Sequence, residues 1–252
     1  MGDRYRSELH RSPSPSAART CVRMMPRIIP MSECALTIEF GDGITLRTHE
    51  LVLAYSAAID QAALPGVVEV VPTYRSATVY FDPLQTDETT LTRQIQPLIS
   101  NKIHTPSRPA TTHIIPVWYG GAAGPDLLNI AQQADLTPVE ASRLHASVTY
   151  RVYMLGFSPG FPYLGTVPTR IATPRHPTPR QQVAAGSVGI AGTQTGIYPQ
   201  DSPGGWRIIG RTPVRLFSLT RAKPFLLEPG DLVRFVPIDE DEFSRLSSPD
   251  YS

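Results

Sequence analysis

Three stretches between residues 156 and 213 concentrate the side chains suited to holding a small polar molecule: GFSPGFPYLG (156–165), AAGSVGIAGTQTGIYP (184–199) and SPGGWRIIGRTP (202–213). Gly186, Gly189, Gly192 and Gly196 recur in a run, 181–200, that carries no charged side chain. Glycine costs backbone entropy on folding, so its repetition points to positive φ angles or close backbone approach. Such a loop can offer N–H groups to an anion as a nest, and Ser187, Gln194 and Thr195 add side-chain donors beside it. Trp206, flanked by Gly204 and Gly205 on one side, reads as an exposed stacking platform. Arg211, beside Thr212, supplies a planar fork of donors for a carboxylate or phosphate. His145 lies late in a capped helix, where the helix dipole favours it, and it precedes the strand leading into GFSPGF. Tyr163 and Tyr198 fit either a core or a pocket wall.

Two familiar chemistries are excluded at these residues. Gly156-Phe157-Ser158-Pro159-Gly160 has the GxSxG spelling of a serine hydrolase, which needs an N–H after the serine and a helix beyond it. Pro159 has no N–H and Pro162 obstructs a helix, so Ser158 and Gly160 belong to a tight turn that presents a hydrogen-bonding hydroxyl. There is no GxxxxGK[ST] loop for nucleotide phosphates. The two cysteines, Cys21 and Cys34, stand outside any CxxC or Cys/His cluster, and no metal site is expected.

The elements that must position these residues occupy a chain of 252 residues, 41% hydrophobic and 18% charged, with a formal net charge of +1. Such a balance suits a globular protein of one or two domains and gives no bulk attraction for nucleic acid. No apolar run is long enough to span a bilayer, and a cytoplasmic location is expected. The cations are almost all arginine; Lys102 and Lys223 are the lysines. Residues 1–26, rich in Arg, Ser and Pro, read as a disordered tail or an over-extended start. A transit peptide is the alternative, weakened by Asp3, Glu8, Pro13 and Pro15.

From 27 to 106 the pattern is a small α/β domain. RIIPMSECALTIEF reads as one strand, 48–63 as a helix stopped by Pro65-Gly66, and VVEVV and ATVYF as paired strands. Thr86 or Asp87 can cap a second helix, and HIIPVWY (113–119) supplies a further strand. The order β-α-β-β-α-β is that of a ferredoxin-like sandwich, with its last strand available to the next domain. Residues 107–112 read as a linker. Asp126 fits an N-cap, and Thr137-Pro138-Val139-Glu140 is a capping box. Beyond TYRVYMLGF short apolar stretches alternate with Gly and Pro up to VRFVPI, which predicts a β-barrel or sandwich over 107–240. Residues 241–252 are expected to be a flexible C-terminal tail. The fold class is α+β.

GFSPGFPYLG, Pro179-Arg180, AGSVGIAGTQTGIYP and SPGGWRIIGRTP closely resemble the family of 5-oxoprolinase B subunits, also known as allophanate hydrolase subunit 1 or as sporulation-kinase inhibitor-like, carboxyltransferase-like proteins. The resemblance runs from about Arg27 to Ile238. It implies that the barrel is cyclophilin-like and that the chain works as one subunit of a complex that opens 5-oxoproline to glutamate with ATP. It implies two partners: a biotin-carboxylase/carboxyltransferase-like C component and a third, hydrolase-type A component. The chain has no biotin attachment motif, and no activity is expected of it alone. ATP is bound by this chain or by its partners. His145 then becomes a candidate for proton transfer or carbonyl polarisation. Arg211, the backbone around 186–192, and Gln194 or Thr195 become candidates for the substrate carboxylate and a developing oxyanion. Ser158, Gly160, Tyr163, Gly186, Ser187, Gly189, Gly192, Tyr198, Gly204, Gly205, Trp206 and Thr212 complete the expected substrate site.

Two segments depart from the family pattern. Ala122 and Ala123 stand where many relatives carry an acidic residue and an aromatic, and MSECAL (31–36) replaces a Gly-Asp-type start. Two other functions stay open: a regulatory protein that binds and inhibits a histidine kinase, and a subunit of an allophanate or urea-type amide hydrolase.

Overall fold

A computed structural model describes residues 26–100 and 108–248. Residues 1–25 of the expected tail and residue 107 of the expected linker lie outside the described residues; the rest of the linker runs directly into β5.

The N-terminal unit runs β1 (Arg27–Ser32), β2 (Ala35–Glu39), α1 (Leu46–Gln61), β3 (Val67–Pro72), β4 (Ser76–Phe81) and α2 (Glu88–Ser100). Its four strands form one antiparallel sheet in the order β1-β2-β4-β3. Alternation places Leu36 and Ile38 of β2, and Ala77 and Val79 of β4, on the buried face. Val52 and Ile59 of α1 and Leu91 and Ile95 of α2 close over them. Each such side chain contributes about 1.5–3 kcal/mol of burial. Thr45 caps α1 by accepting from the backbone N–H of Thr48, and Asp87 does the same for α2 through Thr90.

Two expectations are corrected here. The first stretch is not one strand but a hairpin, turned at Glu33-Cys34, so MSECAL forms the turn and its flanks. The ferredoxin-like order is not completed either. Its last strand, 113–119, leaves for the barrel, and β1 fills the edge beside β2 instead. Any β-rich strand with a free ladder edge serves there, so local periodicity does not choose between them.

The second unit contains β5 (Thr112–Tyr119), α3 (Leu127–Gln133), α4 (Pro138–Ala146), β6 (Thr149–Leu155), β7 (Pro162–Gly165), β8 (Arg180–Val183), β9 (Ser187–Ala191), β10 (Gln194–Ile197), β11 (Ser202–Gly204), β12 (Arg207–Arg211), β13 (Leu232–Ile238) and α5 (Glu240–Leu246). Seven of its strands close a barrel in the order β10-β7-β6-β13-β5-β12-β9, while β8 and β11 pair separately. The barrel is antiparallel except where β13 runs parallel to β5. Ile115, Val117, Val152, Leu164, Val188 and Phe235 fill it. The capping box at Thr137 forms as read, with both reciprocal bonds present.

The expected flexible tail after 240 is, through Leu246, the helix α5, capped by Asp239. Its Phe243 packs on Trp118 at 5.5 Å between ring centroids, a contact that the short polar segment does not announce.

Candidate ligand site at the Trp206 end of β12

Trp206 immediately precedes β12 and Arg211 ends it. At about 3.3 Å per residue, the two lie roughly 16 Å apart along the chain. The sequence candidates divide between these ends rather than lining one pocket.

The glycine block is first of all packing room. A Cβ on Gly196 would stand 2.9 Å from the Phe161 ring, and one on Gly204 would collide with the Tyr198 hydroxyl. The space they leave is filled by Phe161, Tyr198 and Trp206, which interlock edge to face at 5.2–5.3 Å between centroids. Trp206 is therefore buried, at 5% exposure, and not the open platform expected. Its flanking glycines accommodate neighbours instead. Nor is the expected backbone nest available. The N–H of Gly186 donates to Tyr198 O, that of Ser187 to Ala184 O, and that of Gly192 to Thr173 O.

Over the Trp206 ring, at 5.8 Å from its centroid, lies the guanidinium of Arg175. Arg175 is exposed and forms no ion pair with any described residue. It acts electrostatically on three phenols: Tyr163 of β7, Tyr198 after β10, and Tyr74 from the β3–β4 turn. Burial pushes all three phenols up, further than Arg175 pulls them down, so they stay protonated donors at neutral pH. Gln194 donates from Nε2 to the Tyr74 hydroxyl oxygen, which leaves the phenol proton for another acceptor.

The backbone on both sides of Arg175 is tied down. Thr173 bridges to Gly192, Arg207 Nε donates to Pro174 O at 3.3 Å, and the His176 N–H donates to Gly205 O at 2.7 Å. Behind them Asp126, 6% exposed, accepts from His176 Nε2 at 3.0 Å, Arg180 Nη2 at 2.9 Å and the Ile208 N–H at 2.6 Å. Burial alone would push this carboxyl up, but the bonds from Arg180, Ile208 and His176 together hold it below the usual carboxylate range. Asp126 sits at the N-cap position of α3 without a side-chain cap bond, because its oxygens are taken by these donors. The result is a preset cation, phenol donors and an apolar ring face. A cation beside phenol donors and aromatic rings has the chemistry to hold a small anionic, polar compound.

His145 is placed elsewhere. It has no exposed surface and stacks beside Tyr150 and Phe235 at the end of α4. Thr195 spends its proton on Gly189 O at 2.9 Å, so its oxygen accepts from His145 Nε2, also at 2.9 Å. Nδ1 then accepts from the Tyr119 hydroxyl at 2.7 Å. Burial pushes the pKa down to about 3, in keeping with a neutral ring whose two nitrogens are both engaged. Proton transfer to a ligand is closed to it, and Thr195 with Gly189 belongs to the same interior network.

Ser158 and Gly160 line a cleft of about 480 Å³ between β3 and the barrel, where Ser158 Oγ is buried without a partner among the described residues. Arg211, Gly186 and Thr212 line another, of about 640 Å³. Ser187 is a buried wall residue of β9. Ala123 is buried and Ala122 exposed in the turn before α3, and neither lines either cleft. Among the described residues no His, Cys, Asp and Glu cluster has metal-binding geometry, and no helix is long and apolar enough to cross a membrane.

Arg175, His176 and Tyr74 are not among the residues that the motifs single out. PRHPTPR (174–180) does carry a signal, two arginines that each follow a proline. Tyr74 carries none, since only the packing of the two units brings it to Gln194.

Residues 26–227 match the family model for the carboxyltransferase domain, subdomain C and D. The 5-oxoprolinase B subunit of Bacillus subtilis (strain 168) is 40% identical over 232 residues, covering 86% of this chain and 95% of its own. The crystal structure of TTHA0988 superposes with a TM-score of 0.72 at 37% identity, covering 81% of this chain; the chain spans only 40% of that one. The Kluyveromyces lactis urea amidolyase shares the fold, with a TM-score of 0.73 at 20% identity, over 88% of this chain and 15% of that one.

Proposed function

We propose, from the premise that this chain belongs to the carboxyltransferase-domain family and within it to the 5-oxoprolinase B subunits, that it is one member of an ATP-dependent 5-oxoprolinase complex. The complex opens the lactam of 5-oxoproline to give L-glutamate. The observation that carries this reading is the 40% identity extending over 95% of the Bacillus subtilis protein.

The Trp206 end of β12 suits that substrate. 5-Oxoproline is a flat five-membered lactam with one carboxylate. Arg175 takes the carboxylate, and the ring lies against the aromatic surface of Tyr163 and Tyr74. The Tyr74 hydroxyl, oriented by Gln194, donates to the lactam oxygen. ATP would supply the activation that a stable amide needs, its γ-phosphoryl group passing to that oxygen with release of ADP and leaving as phosphate once water has attacked. In this reading Asp126, His176 and Arg180 are positioning residues, acting through the segment that carries Arg175.

The site is exposed on its Arg175 side, so a partner closes it. The carboxyltransferase-like C component and the hydrolase-type A component are the partners of this reading. The greater lengths of TTHA0988 and of the urea amidolyase, of which this unit spans 40% and 15%, support a companion domain beside it. The barrel is of the cyclophilin-like kind in this reading, the domain boundary falls near residue 106, and the chain alone is inactive.

The experiment is glutamate release from 5-oxoproline and ATP, using the tagged chain with its copurifying partners. ATP-dependent release that disappears when the partners are stripped supports the proposed role. Copurified partners that leave 5-oxoproline untouched overturn it.

A further inference from the structure

β12 ends at Arg211 in the cleft of about 640 Å³, which the chain around 213–221 and part of α5 also wall. Arg211, Arg215 and Arg221 line it, and no aspartate or glutamate does. None of the three is ion-paired among the described residues. The chain carries a net charge of only +1, so this concentration of cations is local rather than a general excess. Asp201 feels the charge of Arg211, but its carboxylate is already engaged by the Ala185 N–H at 2.7 Å and Gln182 at 3.2 Å. The acidic first turn of α5, Glu240 to Glu242, stays outside the lining, and Glu242 pairs with Arg245 at 3.3 Å.

Arg211 is anchored without using up its donors. Nε donates to Ala185 O at 2.8 Å and the guanidinium lies 5.9 Å from the Phe243 ring centroid, which leaves both terminal nitrogens for an acceptor. Arg215 and Arg221 are exposed. Thr212 lines the same cleft at 3% exposure; its Oγ1 accepts from the Val214 N–H at 3.2 Å and donates to no described residue. Beside these donors stands an apolar wall of Pro213, Val214, Phe243 and Leu246. Leu219, between the lining residues Ser218 and Thr220, is 81% exposed.

The exposure of these groups sets the class of ligand. A small-molecule site buries most of its ligand among fixed groups. Here two of the three cations and a leucine stand in solvent around the cleft. A charged, wet rim about an apolar centre is the anatomy of a protein interface, in which the rim steers the encounter and the centre anchors it. Unpaired arginines without an acid among them are complementary to a run of carboxylates. We infer that the Arg211 end of β12 docks an acidic, extended segment of a partner protein. Its carboxylates meet Arg211, Arg215 and Arg221, and an apolar side chain of the segment packs on Phe243 and Leu246. The inference goes beyond the 5-oxoprolinase reading and stands without it, since it needs a partner protein but no lactam. It gives Arg211 a partner's carboxylate rather than the substrate's, and it leaves the small ligand to the Trp206 end.

The test is fluorescence anisotropy of a dye-labelled peptide, a run of glutamates followed by a phenylalanine, titrated with the full chain at low ionic strength. A dissociation constant below about 1 mM is expected, weakening about tenfold as salt rises to the physiological range. The matching lysine peptide should not bind. Replacing the two exposed arginines together, Arg215→Gln with Arg221→Gln, should weaken the glutamate peptide by about tenfold or more. Phe243→Ala should weaken it severalfold, and Arg143→Gln, on α4, should leave it unchanged. Should the double variant fail to fold by circular dichroism, the two single replacements are read instead, each expected to weaken binding severalfold. Absence of binding by the unaltered chain, or binding indifferent to Arg215 and Arg221, overturns the inference. So does inorganic tripolyphosphate that binds more tightly than the peptide, which marks a small-anion site. Self-association that the double variant abolishes assigns the face to a second copy and overturns it too. Glutamate release plays no part in this measurement, so a failure of the 5-oxoprolinase reading and a failure of docking are told apart.

Discussion

At the Trp206 end of β12 a single guanidinium lies over a buried indole, on a segment whose residues 173, 174 and 176 are each tied by a hydrogen bond. At the Arg211 end three guanidinium groups share an open cleft, and two of them, Arg215 and Arg221, are exposed. The first arrangement fixes the place of one charge before any ligand arrives, which favours a small rigid ligand of one shape. The second supplies more charge, on exposed side chains that form no ion pair among the described residues. The two ends of one strand thus present their cations differently, and the difference lies in what stands behind the arginines. Asp126 and its three donors stand behind Arg175; solvent stands behind Arg215 and Arg221.

The largest effect should come from removing the fixed cation. Arg175→Ala is expected to lower kcat/KM for 5-oxoproline in the assembled complex by about 100-fold, near 2.7 kcal/mol of transition-state binding. Steady-state kinetics on the variant complex, with thermal unfolding as the control for folding, reads this directly. Unchanged kcat/KM would move the amide site away from Trp206.

A smaller effect should follow from loosening what holds that cation. Asp126→Asn keeps the shape but removes the charge that Arg180 and His176 share, and should destabilise the chain by about 2–3 kcal/mol in urea unfolding. It should also raise KM for 5-oxoproline in the assembled complex, and an unchanged KM would mean that Asp126 does not position Arg175.

Acid should act on the scaffold, more gently per step. Burial pushes His49 down to about 4 and His145 down to about 3, from an ordinary 6.5, with Arg151 adding to the effect at His49 and its bond to Tyr153 O opposing it. Between pH 6.5 and those values the unfolded chain binds more protons than the folded one. Stability therefore falls as pH drops through that window, by roughly 1.4 kcal/mol per pH unit for each histidine. Denaturant midpoints taken between pH 7 and pH 4 measure the slope. A flat profile would show that His145 is not held neutral by the Tyr119–Thr195 network.

Legibility in the sequence followed the range of the interactions. The capping box at Thr137–Glu140 and the β3–β4 pair were readable, because each depends on neighbours a few residues away, whereas the barrel was legible only as a run of short strands whose pairing is long-range. The split of 27–39 into a hairpin was not, since an alternating pattern continues across a turn whose residues lack Gly or Pro. Trp206 was misread for a related reason: flanking glycines mark either exposure or crowding, and the Tyr198 hydroxyl against Gly204 decides for crowding. His145 shows the same limit. Its place on a helix was evident, but the donors and acceptors that close both of its nitrogens come from β5 and β10.

By itself the sequence determined the materials: an α+β chain, a barrel built from short strands, a glycine block with few charges, and arginines rather than lysines at its edges. Tertiary structure decided which arginines matter and for what. A guanidinium becomes a binding group only where no carboxylate has already neutralised it, and pairing is a property of the folded neighbourhood. Arg180 is spent on Asp126, Arg175 is left free over Trp206, and Arg211 is anchored with two nitrogens to spare, although the three differ little as letters in the chain.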